Sequence, residues 1–464
     1  MDQSNDEQYA KMLNMPMPKL ITSLAVPTTV SQLITTVYNI TDTYFVSHIG
    51  TSAAAAVGIV FALMSIIQAV GFGIGMGANS IISRCLGEKD EERASRCANS
   101  ALLAAFVFGL LLMAAGLPTL RRLMLLLGST KTILPYSCGY GKYILIGAPV
   151  MCTEFVLNNI LRSEGQAMLA MWGLVTGSIL NIFLEPVFIF VLHLGIAGAA
   201  VATIISQFVS FVVLVVFFLR GKSIIKLNVK FISKEKADYI LILRTGFPTI
   251  CRQMLGSLSA ALMNIQSAAY GDSAVAAVTI ANKVYMFIRN IVIGIGQGFQ
   301  PVAGYNYGAK NNRRVKEAFI FACKAGTAVC AVAAVAVAFK APYVISWFRK
   351  DDAEVIRVGT AALYISCCVV PFMAYSTYVN QLYQSLGFSM QATWLASCRQ
   401  GIFFVPMIFI LPAMFGLTGV IASQPVSDFL TFIISVPCQI HFFRKYLKTC
   451  NECDGKNIQR LKKQ

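Results

Sequence analysis

Residues 50–77 read GTSAAAAVGIVFALMSIIQAVGFGIGMG, and residues 271–298 read GDSAVAAVTIANKVYMFIRNIVIGIGQG. At an offset of 221, Gly50, Ala55, Ala56, Val57, Gly73, Gly75 and Gly77 recur as Gly271, Ala276, Ala277, Val278, Gly294, Gly296 and Gly298. The match runs ungapped from Pro27 on Pro248 and Gln32 on Gln253 to Gly87, Lys89 and Arg93 on Gly308, Lys310 and Arg314. It resumes at 222 with Pro149, Ser163 and Gly165 on Pro371, Ser385 and Gly387, then at 221 with Gly195 and Gly198 on Gly416 and Gly419. The chain is a duplication, and the class of protein follows from what each copy contains.

Each copy is apolar. Of 464 residues 56% are hydrophobic and 13% charged, about half the charge of an average soluble domain, too little to cover a surface facing water. A helix crossing about 30 Å of hydrocarbon needs about 20 residues. Twelve such stretches are expected near residues 20–46, 53–82, 97–119, 132–160, 168–192, 195–219, 240–264, 274–301, 317–339, 354–384, 392–413 and 417–443. The fold class predicted is an all-α membrane protein of twelve transmembrane helices in two pseudo-symmetric six-helix bundles. Because six is even, both copies point the same way, a parallel repeat about an axis along the membrane normal. The domains are residues 1–219 (N-lobe), 220–239 (linker), 240–443 (C-lobe) and 444–464 (tail).

The net charge of +17 is distributed as topology requires. Lys89, Arg93 and Arg96 follow the second span, Lys222 to Lys236 the sixth, Lys310 to Lys316 the eighth, and Arg444, Lys445 and Lys448 the twelfth. Arg121, Arg122, Arg349 and Lys350 on the other side break the pattern mildly. The positive-inside rule places both termini and the linker in the cytosol. Basic residues split among short loops form no continuous face for nucleic acid. Most of the 13 cysteines lie in apolar runs, where thiols act as small hydrophobes, and no disulfide framework is expected. Cys450 and Cys453 form one CxxC without the second pair a zinc site needs. The three histidines, His48, His193 and His441, fall at no ligand spacing, and no nucleophile–base pair suggests an enzyme. The glycine runs follow no strand and are read as close helix packing rather than nucleotide loops.

A carboxylate at the centre of a bilayer helix costs about 2.5–3.5 kcal/mol on insertion scales, so intramembrane acids mark function. Asp42, Glu154 and Glu185 fall in spans one, four and five, all in the N-lobe; Asp428 falls in span twelve without an evident partner and reads as structural. With Asn158, Asn181 and Thr203, these oxygens suit either a proton or a sodium ion as coupling cation. Pro27 and Pro248 interrupt spans one and seven, and proline kinks a helix. Lys283, Arg289 and Arg399 put positive charge in the C-lobe; Lys283 is the one expected to face a cavity. Gln32, Tyr38, Met64, Met171 and Tyr378 are candidate cavity-lining residues, since aromatic faces and flexible thioethers suit lipophilic cations.

The runs NITDTYFVSHIGTSAAAAVGIV, GANSIISRCLGEK and GQGFQPVAGYNYGAKNNRRV resemble the multidrug and toxic compound extrusion (MATE) exporters, over about residues 15–447, and within them the MepA-type branch. The resemblance implies two six-helix lobes forming a V and cation-driven antiport of lipophilic, often cationic compounds by alternating access. It places the family's N-lobe acids on Asp42, Glu185 and, for the MepA-type branch, Glu154; position 185 is Glu where the family more often has Asp. Acids used in the C-lobe of the NorM-type branch have no counterpart in residues 240–264 or 354–384 apart from Glu354 at the rim, which favours coupling through the N-lobe. The expected protein is a monomer in a bacterial inner membrane, with no cofactor beyond a transported H+ or Na+ and no partner beyond the bilayer and small substrates. A lipid-linked precursor flippase of the same superfamily is the alternative.

Overall fold

The computed structural model describes residues 2–348 and 352–447. Arg349, Lys350, Lys448 and the Cys450–Cys453 pair lie outside the described residues.

After a short helix α1 (Asp2–Asn14), the first copy folds into α2 (Met17–Ser47), α3 (Thr51–Gly87), α4 (Glu91–Leu126), α5 (Leu134–Ser163), α6 (Ala167–Pro186) and α7 (Gly195–Leu219). The second copy gives α8 (Lys236–Ala268), α9 (Asp272–Gly308), α10 (Asn312–Phe339), the short α11 (Ala341–Phe348), α12 (Ala353–Ser385), α13 (Ser389–Ser397), α14 (Phe404–Phe415) and α15 (Leu417–Tyr446). A π-helical turn at Cys398–Ile402 joins α13 to α14, and another at Val187–Val191 extends α6. Among the described residues, eleven segments are long and apolar enough to cross a membrane. The twelfth, α8, has the length, at 33 residues, but carries Arg244, Arg252 and Gln253 and packs along α3 of the other copy. These polar residues dilute its hydropathy, while its outward face stays apolar, with Leu243, Phe247, Met254, Leu258 and Ile265 exposed.

The duplication is written into the backbone. Lys89 and its counterpart Lys310 both take left-handed φ, 62° and 59°. The next residues, Asp90 and Asn311, cap α4 and α10 by accepting from the amides of Arg93 and Arg314. Gly165 and Gly387 (φ 80° and 86°) and Gly195 and Gly416 (56° and 59°) turn the chain at matching places, where a side chain would strain it.

The two lobes join along the half of the molecule that ends in the basic loops. A Cβ at Gly246 would collide with the Gly73 carbonyl oxygen, and one at Gly77 with the Ile242 carbonyl oxygen. The pseudo-symmetric seam repeats this, with Gly298 against the backbone of Ala25 and Gly294 against that of Thr29. The glycine runs therefore serve helix contact, specifically between lobes. Hydrogen bonds follow the same seam: Thr28 Oγ1 donates to the Gly294 carbonyl at 2.7 Å, Ser80 Oγ to that of Gln384 at 2.6 Å, and Asn290 Nδ2 to Thr36 Oγ1 at 2.6 Å. Helix α1 lies across the basic face and touches both lobes, through Gln8 on the Glu164 carbonyl and through Asn306 and Arg314 on the carbonyls of Met12 and Met15.

The linker is held to the N-lobe rather than loose. Asn99 bonds both the Lys226 carbonyl and the Asn228 amide, and Ser100 accepts from the Ser233 amide. Its boundary shifts slightly, since α8 already starts at Lys236.

Candidate functional site

The interior of the N-lobe holds charge in two tiers. Asp42, in the last third of α2, and Glu185, in the last turn of α6, reach the same depth in the half away from the basic loops. Both are buried, and their carboxyl groups stand within hydrogen-bonding reach of each other, so that one proton would bridge them. Tyr38, one helical turn before Asp42, lies among these carboxyls and beside Thr203. Tyr140 of α5 comes to the same place. Asn181, one turn before Glu185, donates to Thr203 Oγ1 at 3.4 Å, and Thr203 donates to the Ala199 carbonyl at 3.1 Å.

Glu154 is a separate, deeper tier. Measured from the basic ends of α5 and α6, Glu185 stands farther up its helix than Glu154 does, by about 13 Å of helix rise. Glu154 is 1% exposed and accepts from Ser210 of α7 at 2.5 Å; Ser210 also reaches the Gly173 carbonyl. Asn158 donates to the Ala170 carbonyl at 2.7 Å. The three acids of the N-lobe are thus a pair and a satellite rather than one cluster.

Buried polar atoms without partners concentrate here: Asp42 Oδ1, both oxygens of Glu185, Glu154 Oε2, the Oδ1 atoms of Asn158 and Asn181, Ser206 Oγ and Tyr140 OH. Buried polar groups are nearly always paired, so a cluster of orphans marks a place that takes something up. Two carboxylates side by side repel by about 4 kcal/mol at an effective dielectric of 20. A single proton or monovalent cation between them removes that repulsion and supplies the missing partner.

The C-lobe carries the opposite sign. Arg399, in the π-helical turn, donates through Nε to Asp428 Oδ1 of α15 at 2.7 Å. Asp428 also accepts from Gln424 at 2.9 Å and from Tyr285 at 3.3 Å. Asp428 thus has partners that its place in the sequence did not reveal. Arg252 of α8 and Arg289 of α9 feel the charge of Arg399 directly. Lys283 is exposed and stands apart from this group.

The remaining candidates divide. Gln32 donates to Gln297 at 3.1 Å across the seam, where the buried guanidinium of Arg162 also meets Gln297, at 2.5 Å. Met64 is buried in the N-lobe and Met171 half-buried on α6. Tyr378 corrects the expectation of a cavity position: it is fully buried, with its hydroxyl against Gly326 of α10 inside the C-lobe core. Tyr378 packs inward because α10 offers a glycine-sized gap. Pro27 and Pro248 lie inside α2 and α8 as expected.

Sequence reasoning missed Tyr140, Ser210, Arg162 and Arg252. Tyr140 and Glu154 are separated on α5 by about four helical turns, which puts them on the same face; that spacing was a usable signal for Tyr140. Arg162 and Arg252, ionisable groups in or beside apolar runs, gave the same kind of signal as Arg289.

Two like bundles meeting at one end, with paired acids inside one and basic groups inside the other, define a two-lobed multi-pass membrane transporter. The MatE family profile matches residues 27–187 and 248–410, and the chain belongs to that family. It is 26% identical over 426 residues to a multidrug export protein MepA of Staphylococcus aureus, covering 92% of this chain and 94% of that one. A multidrug resistance MATE family transporter of the MOP superfamily in an outward-facing conformation superposes with a TM-score of 0.85 at 26% identity, over 92% of this chain and 96% of that one. A MOP superfamily transporter from Pyrococcus furiosus, described as having a binding pocket of reversed polarity, superposes at 0.88 and 26% identity, over 94% and 98%.

Proposed function

We propose that the protein is a cation-coupled exporter of lipophilic, often cationic drug-like compounds, working by alternating access between the lobes. The observation that carries this is the pair of buried carboxyls, Asp42 and Glu185, ringed by unpartnered oxygens. The relation to multidrug export proteins supports the cargo class. The basic loops are assigned to the cytosol of a bacterial cell. On that assignment the seam closes the cytosolic half, and the Asp42–Glu185 pair lies toward the outside. A cation arriving from outside would neutralise the pair, let the helices of the lobe repack and release cargo. We favour the proton, because a carboxyl pair needs only one shared hydrogen, whereas sodium needs a fuller set of neutral oxygens.

The purified protein in proteoliposomes, loaded with a fluorescent cationic dye and placed under either a pH or a sodium gradient, tests this. Dye movement is expected under the pH gradient, and is expected to vanish in Asp42→Asn and in Glu185→Gln. Undiminished movement in both variants removes the coupling role; movement under sodium alone replaces the proton.

A flippase for lipid-linked precursors is the second reading. One observation favours it, the arginine group in the C-lobe. The N-lobe acids stand against it, and rescue of a strain lacking its lipid flippase separates the two.

A further inference from the structure

Arg252, Arg289 and Arg399 arise from three different elements, α8, α9 and the turn before α14; that turn packs against α8, where Ser259 donates to the Gln400 carbonyl at 2.9 Å, and α8 packs against α9. Arg252 lies at the middle of α8 and Arg289 at the middle of α9. The charge of Arg399 reaches both of the others. One carboxylate, Asp428, serves this group, and it is fully engaged by Arg399, Gln424 and Tyr285. Arg252 makes no hydrogen bond or ion pair with the described residues, and the Nε of Arg289 is buried without a partner. None of the three is sealed in the core: each keeps part of its side chain accessible. The residue after Arg289, Asn290, makes its hydrogen bond to Thr36 of the other lobe, so Arg289 adjoins the seam. The repeat does not account for it either, since Ser31 and Gln68 occupy the places of Arg252 and Arg289 in the N-lobe.

Guanidiniums that repel one another at the middle of a membrane protein persist when a counter-charge visits. Their planar forks match two oxygens of one carboxylate or phosphate, which a methylene-borne ammonium does not. We propose that Arg252, Arg289 and Arg399 form a binding site for an oxyanion group on the cargo, so that the molecules carried include amphiphiles bearing a carboxylate or phosphate, not only plain lipophilic cations. This rests on the export reading above and narrows its cargo. A zwitterion would place its cationic end toward the acidic lobe and its anionic end on these arginines.

Rhodamine B and its ethyl ester differ only in whether the carboxylate is free. Binding of both to the full chain in detergent, followed by fluorescence anisotropy, is expected to favour the free acid by about tenfold, the worth of one charge-assisted hydrogen-bonded contact. Arg252→Gln and Arg289→Gln should each erase that preference while leaving the ester unchanged. Dodecanoate and dodecyl phosphate should displace rhodamine B, their order telling carboxylate from phosphate. Equal or tighter binding of the ester by the unmodified chain overturns the inference without needing any variant. So does displacement by dodecyltrimethylammonium alone. If the preference holds but neither dye moves under an ion gradient, the coupling proposal fails and this site stands.

Discussion

Arg399 Nε lies 2.7 Å from Asp428 Oδ1, and the two side chains are 13% and 1% exposed. Removing one member of a buried pair strands the other, at a cost of about 3–5 kcal/mol, whereas replacing both by apolar groups of like volume is often neutral. Asp428→Asn is therefore expected to lower the thermal unfolding midpoint in detergent markedly. The double variant Arg399→Met, Asp428→Leu should recover most of the loss. A single variant as stable as the parent would show that the pair is solvated in the native protein.

The Asp42–Glu185 pair gives a length test. Glu185→Asp shortens one arm by a methylene and withdraws it from Asp42, so a proton can no longer bridge the two. Dye movement driven by a pH gradient is expected to fall well below that of the parent but above that of Glu185→Gln, which cannot ionise. An Asp variant as active as the parent would show that the carboxyls need not touch.

The lobe seam responds to bulk. Gly246→Val drives carbon into the backbone of Gly73, which has no rotamer with which to yield. Overpacking of this kind costs about 1–3 kcal/mol, and here the cost falls on the arrangement closed at the basic face. Spin labels at Lys89 and Lys310, in a background cleared of native cysteines, should report a longer mean distance by double electron–electron resonance. Gly58→Ala, with open space around its Cβ, should leave the distance unchanged.

Glu164, just past the end of α5, ties the linker to the N-lobe. It accepts from Ser223 and from the amides of Ile224 at 3.2 Å and Ile225 at 3.1 Å. Burial pushes its carboxyl from 4.5 up to about 7, the hydrogen bonds offset part of that, and Glu91 adds to it. A carboxyl raised in the folded state favours the proton-bound form. The docked linker is thus most stable below about pH 4.5 and loses that contribution as the pH climbs through about 7. Hydrogen exchange at Ile224 and Ile225, corrected for intrinsic rates, should speed up between pH 5.5 and 8, and Glu164→Gln should flatten the change. A pH-independent parent would show the site solvated.

The duplication, the all-helical class, the spans and the polarity of the loops were legible because each is a property of local composition or of sequence separation. Hydropathy over a window and an offset that stays at 221 or 222 need no knowledge of neighbours. Asp42 and Glu185 were legible for a related reason: an acid in an apolar helix is conspicuous whatever surrounds it.

Tertiary structure alone decided which conspicuous residues meet. It drew Glu154 away from the other two acids, gave Asp428 its partner in the turn between α13 and α14, buried Tyr378 against Gly326, and brought Arg252, Arg289 and Arg399 together from separate elements. Helix pairing and rotation about each axis fix those meetings, and both depend on side-chain volumes at distant contacts such as Gly77 on Ile242 and Gly298 on Ala25. A linear pattern records the period of a helix but not which helix its polar face will find.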